Sequence, residues 1–597
     1  MPATAAAAHH DHLADFRTDR RVLLLSALAV PVGVTGALVA KALLWLIAVF
    51  TNAAFFLRFS AEPVTLPGHA FGWWGVAVPV LGGLVIGLMA RYGSEKIRGH
   101  GIPEALEAIL LGRSLIDPQV AILKPISAAV SIGTGGPFGA EGPIIMTGGA
   151  FGSLFAQLFH LTAAERKTLL VAGAAAGMAA VFATPVAAVL LAVELLLFEW
   201  KPRSFIPVTV AALVAAVTRV PLLGAGPIFP VPLHAALSPA ALGLALVVGL
   251  AASFGSGVLT KLVYGCEDLF GRLPVHWMWW PAIGGLFVGV GGALDPRVLG
   301  VGYETIHRLM RGELAAGALL GLVIAKGLVW SIALGSGTSG GVLAPLLMLG
   351  GALGALVGLG TGAGDPGLWA MVGMAAMMGG TMRAPLTGLM FILELTHGFN
   401  ALPALMIGSV AALCVTVLLL RRSILTEKLA RRGQHIAREY RVDLFEQLRV
   451  GDVMDRHPPF AAAADTVAAL AARLARREPE IFRRQGTVLL DADQQLAGLV
   501  TRSEVMHALA EGDADRRTLG ELARRDVVTI TPEATLHDAV TLMLRHRVGR
   551  LPVVLRTEPR RVVGYLGRAE ILAARTRLHD EEEIRETGPL LKSAGSK

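Results

Sequence analysis

The sequence is poor in charged residues and nearly free of cysteine. Asp, Glu, Lys and Arg together make up 16% of its 597 residues, whereas hydrophobic residues make up 54%. The two cysteines, Cys266 and Cys414, lie in apolar surroundings, and their spacing fits neither a disulfide framework nor a zinc site. These shortages argue against a disulfide scaffold and a structural metal, and they are typical of a protein that lies largely in a bilayer.

Acidic pore rings and metalloprotease motifs are also missing. A cation pathway would place several carboxylates in its apolar segments, but the buried candidates here are only Glu141, Glu194 and Glu394. No His-Glu-x-x-His run occurs. The net charge of +8 comes from basic residues that cluster at the ends of apolar segments rather than on a nucleic-acid surface. We therefore predict no enzymatic activity, no required cofactor and no nucleic-acid partner.

Long apolar runs extend from Val22 to Leu420, and many reach the roughly 20 residues that span a bilayer. The basic run 421–433 follows the last of them, and Arg17–Arg21 precede the first, which favours a cytoplasmic location for both termini. The prediction is a multi-pass protein of the plasma or inner membrane. Its segments are a leader (1–21), a membrane domain (22–432), a linker (433–449) and a soluble cytoplasmic region ending in a tail (578–597).

The membrane domain contains an internal repeat. Two pairs of segments match at an offset of about 200 residues: 146–154 with 348–356, and 183–195 with 383–395. Each copy, at about 75–220 and 280–420, carries helices interrupted by Gly and Pro and ends near a glutamate, Glu194 or Glu394. Such repeats are typical of transporters whose ligand binds at the repeat interface near the middle of the bilayer.

Three glycine-rich turns lead directly into apolar helices: GHGIP (99–103), GAEGP (139–143) and GVLAP (341–345). Glycines followed by an early proline predict a helix that starts abruptly, with its first N–H groups unpaired. In lipid these donors need a partner, and a dehydrated anion suits them because the helix dipole is positive at that end. The pattern therefore predicts an anion pathway.

These motifs resemble the filter motifs of the CLC family of chloride channels and chloride/proton exchangers. GHGIP is similar to GSGIP, GAEGP to GREGP or GKEGP, and GGVLAP to GxFxP, in the family's order. The resemblance covers essentially the whole membrane domain and implies an all-α polytopic fold of inverted repeats with broken helices, assembled as a homodimer with one pore per subunit. The filter positions that it implies are Gly99, His100, Gly101, Ile102, Pro103, Gly139, Ala140, Gly142, Pro143, Gly341, Val342, Leu343, Ala344 and Pro345.

The resemblance implies that Glu141 is a gate. Its carboxylate would occupy the outer anion site when deprotonated and leave it when protonated, so that protons act as gating ligands; a helix-capping role is the alternative. Lys124 matches a lysine that makes the pore more positive, unless it reaches for the membrane interface. His100 stands where chloride-selective members carry serine, and because imidazole titrates near neutral pH the order of anion selectivity stays open.

Three family positions are aliphatic in this chain. Leu343 and Leu425 fall where the family has a phenylalanine and an inner-gate tyrosine, and Leu195 falls where exchangers carry an internal proton-transfer glutamate. We therefore predict a passive channel, selective for chloride or for anions in general. The alternative is a proton-coupled chloride antiporter.

Two readings are open for each of three further glutamates. Glu199, one helical turn from Leu195, is either a substitute proton carrier or an interfacial residue. Glu194 and Glu394 are expected to act structurally, at a dimer interface or a helix end.

The soluble region resembles a tandem CBS pair, at 450–511 and 518–577, which is an α/β module that binds adenine nucleotides. The resemblance implies nucleotide contacts at Thr501 and Glu504 in the first half and at Glu570 in the second. A purely structural dimerising region is the alternative, and a nucleotide-sensing membrane protein without transport is a third interpretation of the whole chain.

Overall fold

A computed structural model describes residues 20–66, 71–110, 114–231, 237–433, 445, 448–482, 484–524 and 526–583. These residues fall into two compact units, divided between residues 439 and 440. Almost all of the predicted leader, most of the predicted linker and the end of the predicted tail lie outside the described residues.

In its described part, the first unit consists mainly of α-helices, with a few short 3-10 helices between them. The α-helices are α1 (Arg21–Phe56), α2 (Gly72–Tyr92), α3 (Ile102–Leu110), α4 (Pro118–Gly133), α5 (Glu141–Ala156), α6 (Ala163–Phe182), α7 (Pro185–Leu191), α8 (Pro202–Leu223), α9 (Pro239–Gly271), α10 (Trp280–Leu294), α11 (Tyr303–Met310), α12 (Ala316–Gly335), α13 (Leu343–Thr361), α14 (Pro366–Met382), α15 (Pro385–Thr396), α16 (Leu402–Leu419) and α17 (Ile424–Arg431). A π-helix, Ala192–Leu197, continues α7. Within the described ranges, eight helical stretches are long and apolar enough to cross a membrane. The predicted all-α polytopic fold is confirmed.

Both repeats break their helices with the same backbone geometry. Ala183 and Arg383 adopt the left-handed conformation, with φ of 58° and 57°. Pro185 and Pro385 then open the next helices, α7 and α15. Proline suits the first helical position because its φ is preset and its missing N–H has no intrahelical partner to lose. The sequence repeat is therefore also a repeat of backbone structure.

A glutamate from each repeat caps a helix of the other repeat. Glu194 accepts a hydrogen bond from the N–H of Thr387 at 2.8 Å, and Glu394 accepts one from the N–H of Ala187 at 2.8 Å. Contacts exchanged in this way are those that a two-fold axis between the repeats requires. The predicted helix-end role of Glu194 and Glu394 is confirmed.

Glycines set the close packing behind the broken helices. A Cβ on Gly173 in α6 would collide with the carbonyl oxygen of Gly148 in α5, and a Cβ on Gly373 in α14 would collide with that of Gly350 in α13. Small residues of this kind let helix backbones touch inside a membrane, where no hydrophobic effect drives helices together. They hold α5 and α13 at equivalent places in the two repeats.

The second unit contains two small α/β halves, each with its own apolar core. In the first half, β1 (Phe460–Ala462) pairs parallel with β2 (Gly486–Leu490), which pairs antiparallel with β3 (Leu496–Thr501). In the second, β4 (Arg550–Val554) pairs antiparallel with β5 (Val562–Gly567). The helices are α18 (Val450–Val453), α19 (Val467–Ala475), α20 (Pro479–Phe482), α21 (Arg502–Glu511), α22 (Leu519–Leu522), α23 (Leu536–His546) and α24 (Arg568–Glu583). The predicted α/β class of this region is confirmed.

Candidate anion-binding site

The three glycine-rich turns meet at the starts of α3, α5 and α13. The N–H of Gly341 donates to the carbonyl of Gly139 at 2.9 Å, and the N–H of Gly340 donates to the carbonyl of Gly99 at 3.4 Å. Gly139 and Gly341, which form an isolated β-bridge, occupy equivalent positions in the two repeats. The helices begin within the motifs, as the sequence predicts, and their first turns lie in one region.

Glycine is required where the turns touch. Gly101 has a φ of +86°, and a Cβ on it would lie 3.0 Å from the carbonyl oxygen of Gly142. A Cβ on Gly142 would collide with the carbonyl oxygen of His100. A side chain at either position would force the turns apart and move the helix N-termini.

Glu141 lies fully buried where the turns meet. Its Oε1 accepts hydrogen bonds from the backbone N–H groups of Leu343 and Ala344, the second at 3.2 Å. These donors belong to the first turn of α13, so the carboxylate sits where a helix N-terminus would otherwise bind an anion. Oε2 is buried and has no hydrogen-bond partner among the described residues.

Lys124 is fully buried in α4. Its Nζ donates to the carbonyls of Ile97 and Gly99, both at 2.8 Å. The ammonium thus offsets the partial negative charge of two carbonyls next to the GHGIP turn. The alternative of an interfacial lysine is wrong, because the side chain does not reach the surface.

His100 is 3% exposed and lines a cavity of about 750 Å³. Its Nδ1 has no hydrogen-bond partner within the described part of the chain. A buried polar atom without a partner is costly, so this nitrogen is a candidate contact for a ligand in the cavity.

The aliphatic positions are buried. Leu343 and Leu425, at the starts of α13 and α17, are 0% exposed. The hydroxyl of Tyr264 donates to the carbonyl of Ile424, the residue before Leu425, at 2.5 Å. An aliphatic side chain therefore stands at the predicted inner-gate position.

Leu195 is fully buried in the π-helix that follows α7. Glu199, beyond the end of that helix, accepts a hydrogen bond from the hydroxyl of Ser204 at 3.0 Å and lies 3.5 Å from Arg203. Both partners belong to α8, so Glu199 is engaged at the start of that helix.

The expectation about buried acids is correct for Glu141, but it missed Glu104. Glu104, in the first turn of α3, is 7% exposed and accepts a hydrogen bond from Lys428 at 2.7 Å, whereas Glu194 and Glu394 are only half-buried. The place of Glu104 directly after GHGIP was a usable signal. Its partner lies 324 residues away, so no local pattern could have linked the two.

The sequence comparison of the repeats also missed Lys326. It is fully buried in α12, and its Nζ donates to the carbonyls of Val298 and Gly300 at 2.8 and 3.1 Å. Lys124 donates to two backbone carbonyls in the same way, about 200 residues earlier in the chain. The repeat offset itself was the signal that could have found this lysine.

In the second unit, the predicted nucleotide residues bind other protein groups. Thr501 donates its N–H to Glu504 at 2.6 Å, and Glu504 donates its N–H to the Thr501 hydroxyl at 3.3 Å, which makes a capping box. Glu570 accepts from Arg484, which also binds Asp455 at 2.5 Å. Burial opposes the charge on Arg484, but the two carboxylates raise the pKa of its guanidinium. Nucleotide binding at these residues stays a prediction.

Comparison with known proteins bears on both units. The family profile described as voltage gated chloride channel matches residues 82–417, and the CBS domain profile matches residues 450–511 and 519–577.

Two bacterial relatives are among the proteins similar to this chain. The chain is 29% identical over 353 residues to the putative chloride channel protein ClcB-like of Ralstonia nicotianae. The aligned residues make up 57% of this chain and 82% of that protein. It is 30% identical over 365 residues to the H(+)/Cl(−) exchange transporter ClcA of Salmonella agona. The aligned residues make up 58% of this chain and 77% of that protein.

Solved structures share the fold. A slow cyanobacterial Cl−/H+ antiporter superposes with a TM-score of 0.62 at 21% identity, over 70% of this chain and 98% of the other. A eukaryotic CLC transporter superposes with a TM-score of 0.58 at 19% identity, over 92% of this chain and 98% of the other. The family profiles match the membrane domain and both CBS halves. The chain is therefore a multi-pass membrane protein of the CLC family of chloride transporters.

Proposed function

We propose that the protein moves chloride and other small anions through the site formed by the three turns, with Glu141 as its gate. The observation that carries this proposal is the bond between the Glu141 carboxylate and the first N–H groups of α13. A carboxylate and a small anion have the same charge and accept the same hydrogen bonds, so the two compete for those donors.

Protonation would end this competition in favour of the anion. A neutral carboxyl group gains less from the N–H groups of Leu343 and Ala344 than a carboxylate does, because charged hydrogen bonds are about twice as strong as neutral ones. Anion flux should therefore rise as the pH falls through the titration range of Glu141.

Passive conduction is the transport mode that the side chains favour. The family resemblance implies a proton-transfer glutamate of exchangers at position 195, and the buried Leu195 cannot bind a proton. Proton-coupled antiport is the second candidate, favoured by the description of the Salmonella agona relative as an H(+)/Cl(−) exchange transporter. Glu199 would then be the acid to test.

Further proposals concern the oligomeric state of the protein, its orientation in the membrane and nucleotide binding. The family resemblance supports a homodimer with one anion pathway per subunit. The basic run at 421–433 supports cytoplasmic termini and a cytoplasmic CBS pair. An adenine nucleotide that binds at Thr501 and Glu504 would have to replace the capping box between them, and one that binds at Glu570 would have to replace its bond with Arg484.

Chloride efflux from proteoliposomes tests the proposed function. Wild-type protein should release chloride well above protein-free liposomes once the membrane voltage is clamped by a potassium ionophore. Gly142→Ala should abolish most of this flux because its Cβ would collide with the His100 carbonyl, whereas Gly360→Ala, with open space around it, should not change it. Equal flux from both variants, or none from the wild type, would contradict the assignment.

A further inference from the structure

Two serines from different repeats meet beside the glycine-rich turns. Ser127 lies in α4, one helical turn after Lys124, and Ser339 lies two residues before the GVLAP turn. Both side chains are fully buried. The Ser127 hydroxyl has two acceptors within reach, the Ser339 hydroxyl at 3.1 Å and the carbonyl oxygen of Lys124 at 3.0 Å. We call the hydrogen bond between the two hydroxyls the serine clamp.

The serine clamp completes a ring of contacts that joins the GHGIP and GVLAP turns. Lys124, which lies on the same face of α4 as Ser127, donates to the carbonyl of Gly99 at 2.8 Å. The N–H of Gly340, the residue after Ser339, donates to this same carbonyl at 3.4 Å. That bond is long, so it holds the two turns together only weakly. The helix α4 therefore holds both turns, GHGIP through its lysine and the segment before α13 through the clamp.

The clamp occurs in only one of the two equivalent places in the repeats. At the offset that relates Lys124 to Lys326, the clamp serines correspond to Val329 and Pro137. Neither of these side chains carries a hydrogen-bonding group. Lys326 nevertheless holds two backbone carbonyls of its own turn. The fold of a repeat therefore does not require the clamp, which indicates a task at the site where the turns meet.

We propose that the serine clamp positions the donors of the anion site, by fixing the first N–H groups of α13 relative to the GHGIP turn. The inference rests on the proposed function, because it concerns the same anions and the same donors. Those donors are the N–H groups of Leu343 and Ala344, which Glu141 occupies in this structure. Without the clamp, the long bond from Gly340 to Gly99 is the remaining direct link between the two turns, and the donors converge less closely on an anion.

The two serines are positioning residues, since neither lines the 750 Å³ cavity. They act through the turns, so their loss should change how tightly and how selectively the site holds anions. Chloride is compact and needs several donors at short distance, whereas nitrate spreads its charge over three oxygens and loses less when donors move apart. A hydrogen bond that only stabilised the fold would instead lower the melting temperature and the maximal flux, with the same anion affinity and selectivity.

The experiment measures chloride and nitrate flux against anion concentration in proteoliposomes. Ser127→Ala and Ser339→Ala should each raise the half-saturating chloride concentration about three- to tenfold, the order of factor that one neutral hydrogen bond contributes. Each should also lower the chloride-to-nitrate flux ratio while the maximal chloride flux stays within about twofold of wild type. The double variant should match the single variants, because all three lack the same bond.

Ser131→Ala is the matched control. Ser131 also lies in α4 and is 2% exposed, but its hydroxyl has no hydrogen-bond partner among the described residues. Its removal deletes a buried hydroxyl from the same helix without breaking a hydrogen bond. This variant should keep the half-saturating concentration and the flux ratio of the wild type.

Three outcomes would overturn the inference: single variants with unchanged affinity and flux ratio, a double variant with the summed effect of both, or a control shift as large as that of Ser127→Ala. If Ser339→Ala gives no monodisperse protein, Ser127→Ala decides, because it removes the same bond from a different element. Loss of the fold in both variants, with a normal Ser131→Ala, would assign the clamp to stability alone and also overturn the inference. Absence of flux in the wild type would instead contradict the proposed function, so the two failures are distinguishable.

Discussion

Replacement of Glu141 by glutamine removes the charge from the proposed gate and keeps its size. The side chain can still reach the N–H groups of Leu343 and Ala344, but only as a neutral acceptor. Chloride should then displace it more easily, and the flux should no longer follow the protonation of this residue.

The two hydrogen bonds set the size of the effect. Bonds to charged groups contribute about 1.5–3 kcal/mol each and neutral ones about 0.5–1.5 kcal/mol, so the substitution weakens the side chain's hold by about 2–3 kcal/mol over both bonds. This corresponds to a factor of roughly 30 to 160 in competition with the anion. We expect a fall of this order in the half-saturating chloride concentration at neutral pH.

The assay records chloride flux from proteoliposomes between about pH 5 and pH 8, a window that covers carboxyl groups with raised pKa values as well as ordinary imidazoles. Wild-type flux should rise as the pH falls, whereas Glu141→Gln should be fast and flat. Glu304→Gln is the matched control, because Glu304 lies exposed in the first turn of α11. If the pH dependence persists in Glu141→Gln, the gate is elsewhere, and His100 is the next residue to test.

Four more substitutions have defined outcomes. Lys124→Met should leave two turn carbonyls without their cation and raise the half-saturating chloride concentration at least about tenfold in the same flux assay; an unchanged value would contradict its electrostatic role. His100→Ser introduces the hydroxyl that the family resemblance implies for chloride-selective members, and it should raise the chloride-to-nitrate flux ratio. A constant ratio would mean that backbone groups alone discriminate between chloride and nitrate. Glu194→Gln and Glu394→Gln each weaken a helix cap and should destabilise the purified protein by about 1 kcal/mol in thermal unfolding, with normal anion selectivity; unchanged melting temperatures would contradict the capping role.

Local chemistry explains why the broken helices could be predicted from the sequence. Gly and Pro act on the residues next to them, so GHGIP, GAEGP and GVLAP mark helix starts without any knowledge of the fold. The duplicated Ala183–Pro185 and Arg383–Pro385 elements likewise keep their backbone geometry in both copies.

Long-range partners could not be predicted in the same way. Glu141 binds α13, which begins 202 residues later, and Glu104 binds Lys428 at a separation of 324 residues. These pairs depend on how the two repeats pack. The sequence therefore indicated that Glu141 has a special environment, but the donors that bind it and the charge balance beside His100 required the structure.

The most direct test of Glu141-gated passive conduction is a paired recording of chloride and proton movement in one proteoliposome suspension, under opposed chloride and pH gradients. Passive conduction predicts that net chloride flux reverses at the chloride equilibrium potential, that no proton moves uphill, and that Glu141→Gln shifts the rate but not the reversal point. Proton uptake against its gradient in a fixed ratio to chloride efflux would contradict passive conduction and establish exchange instead.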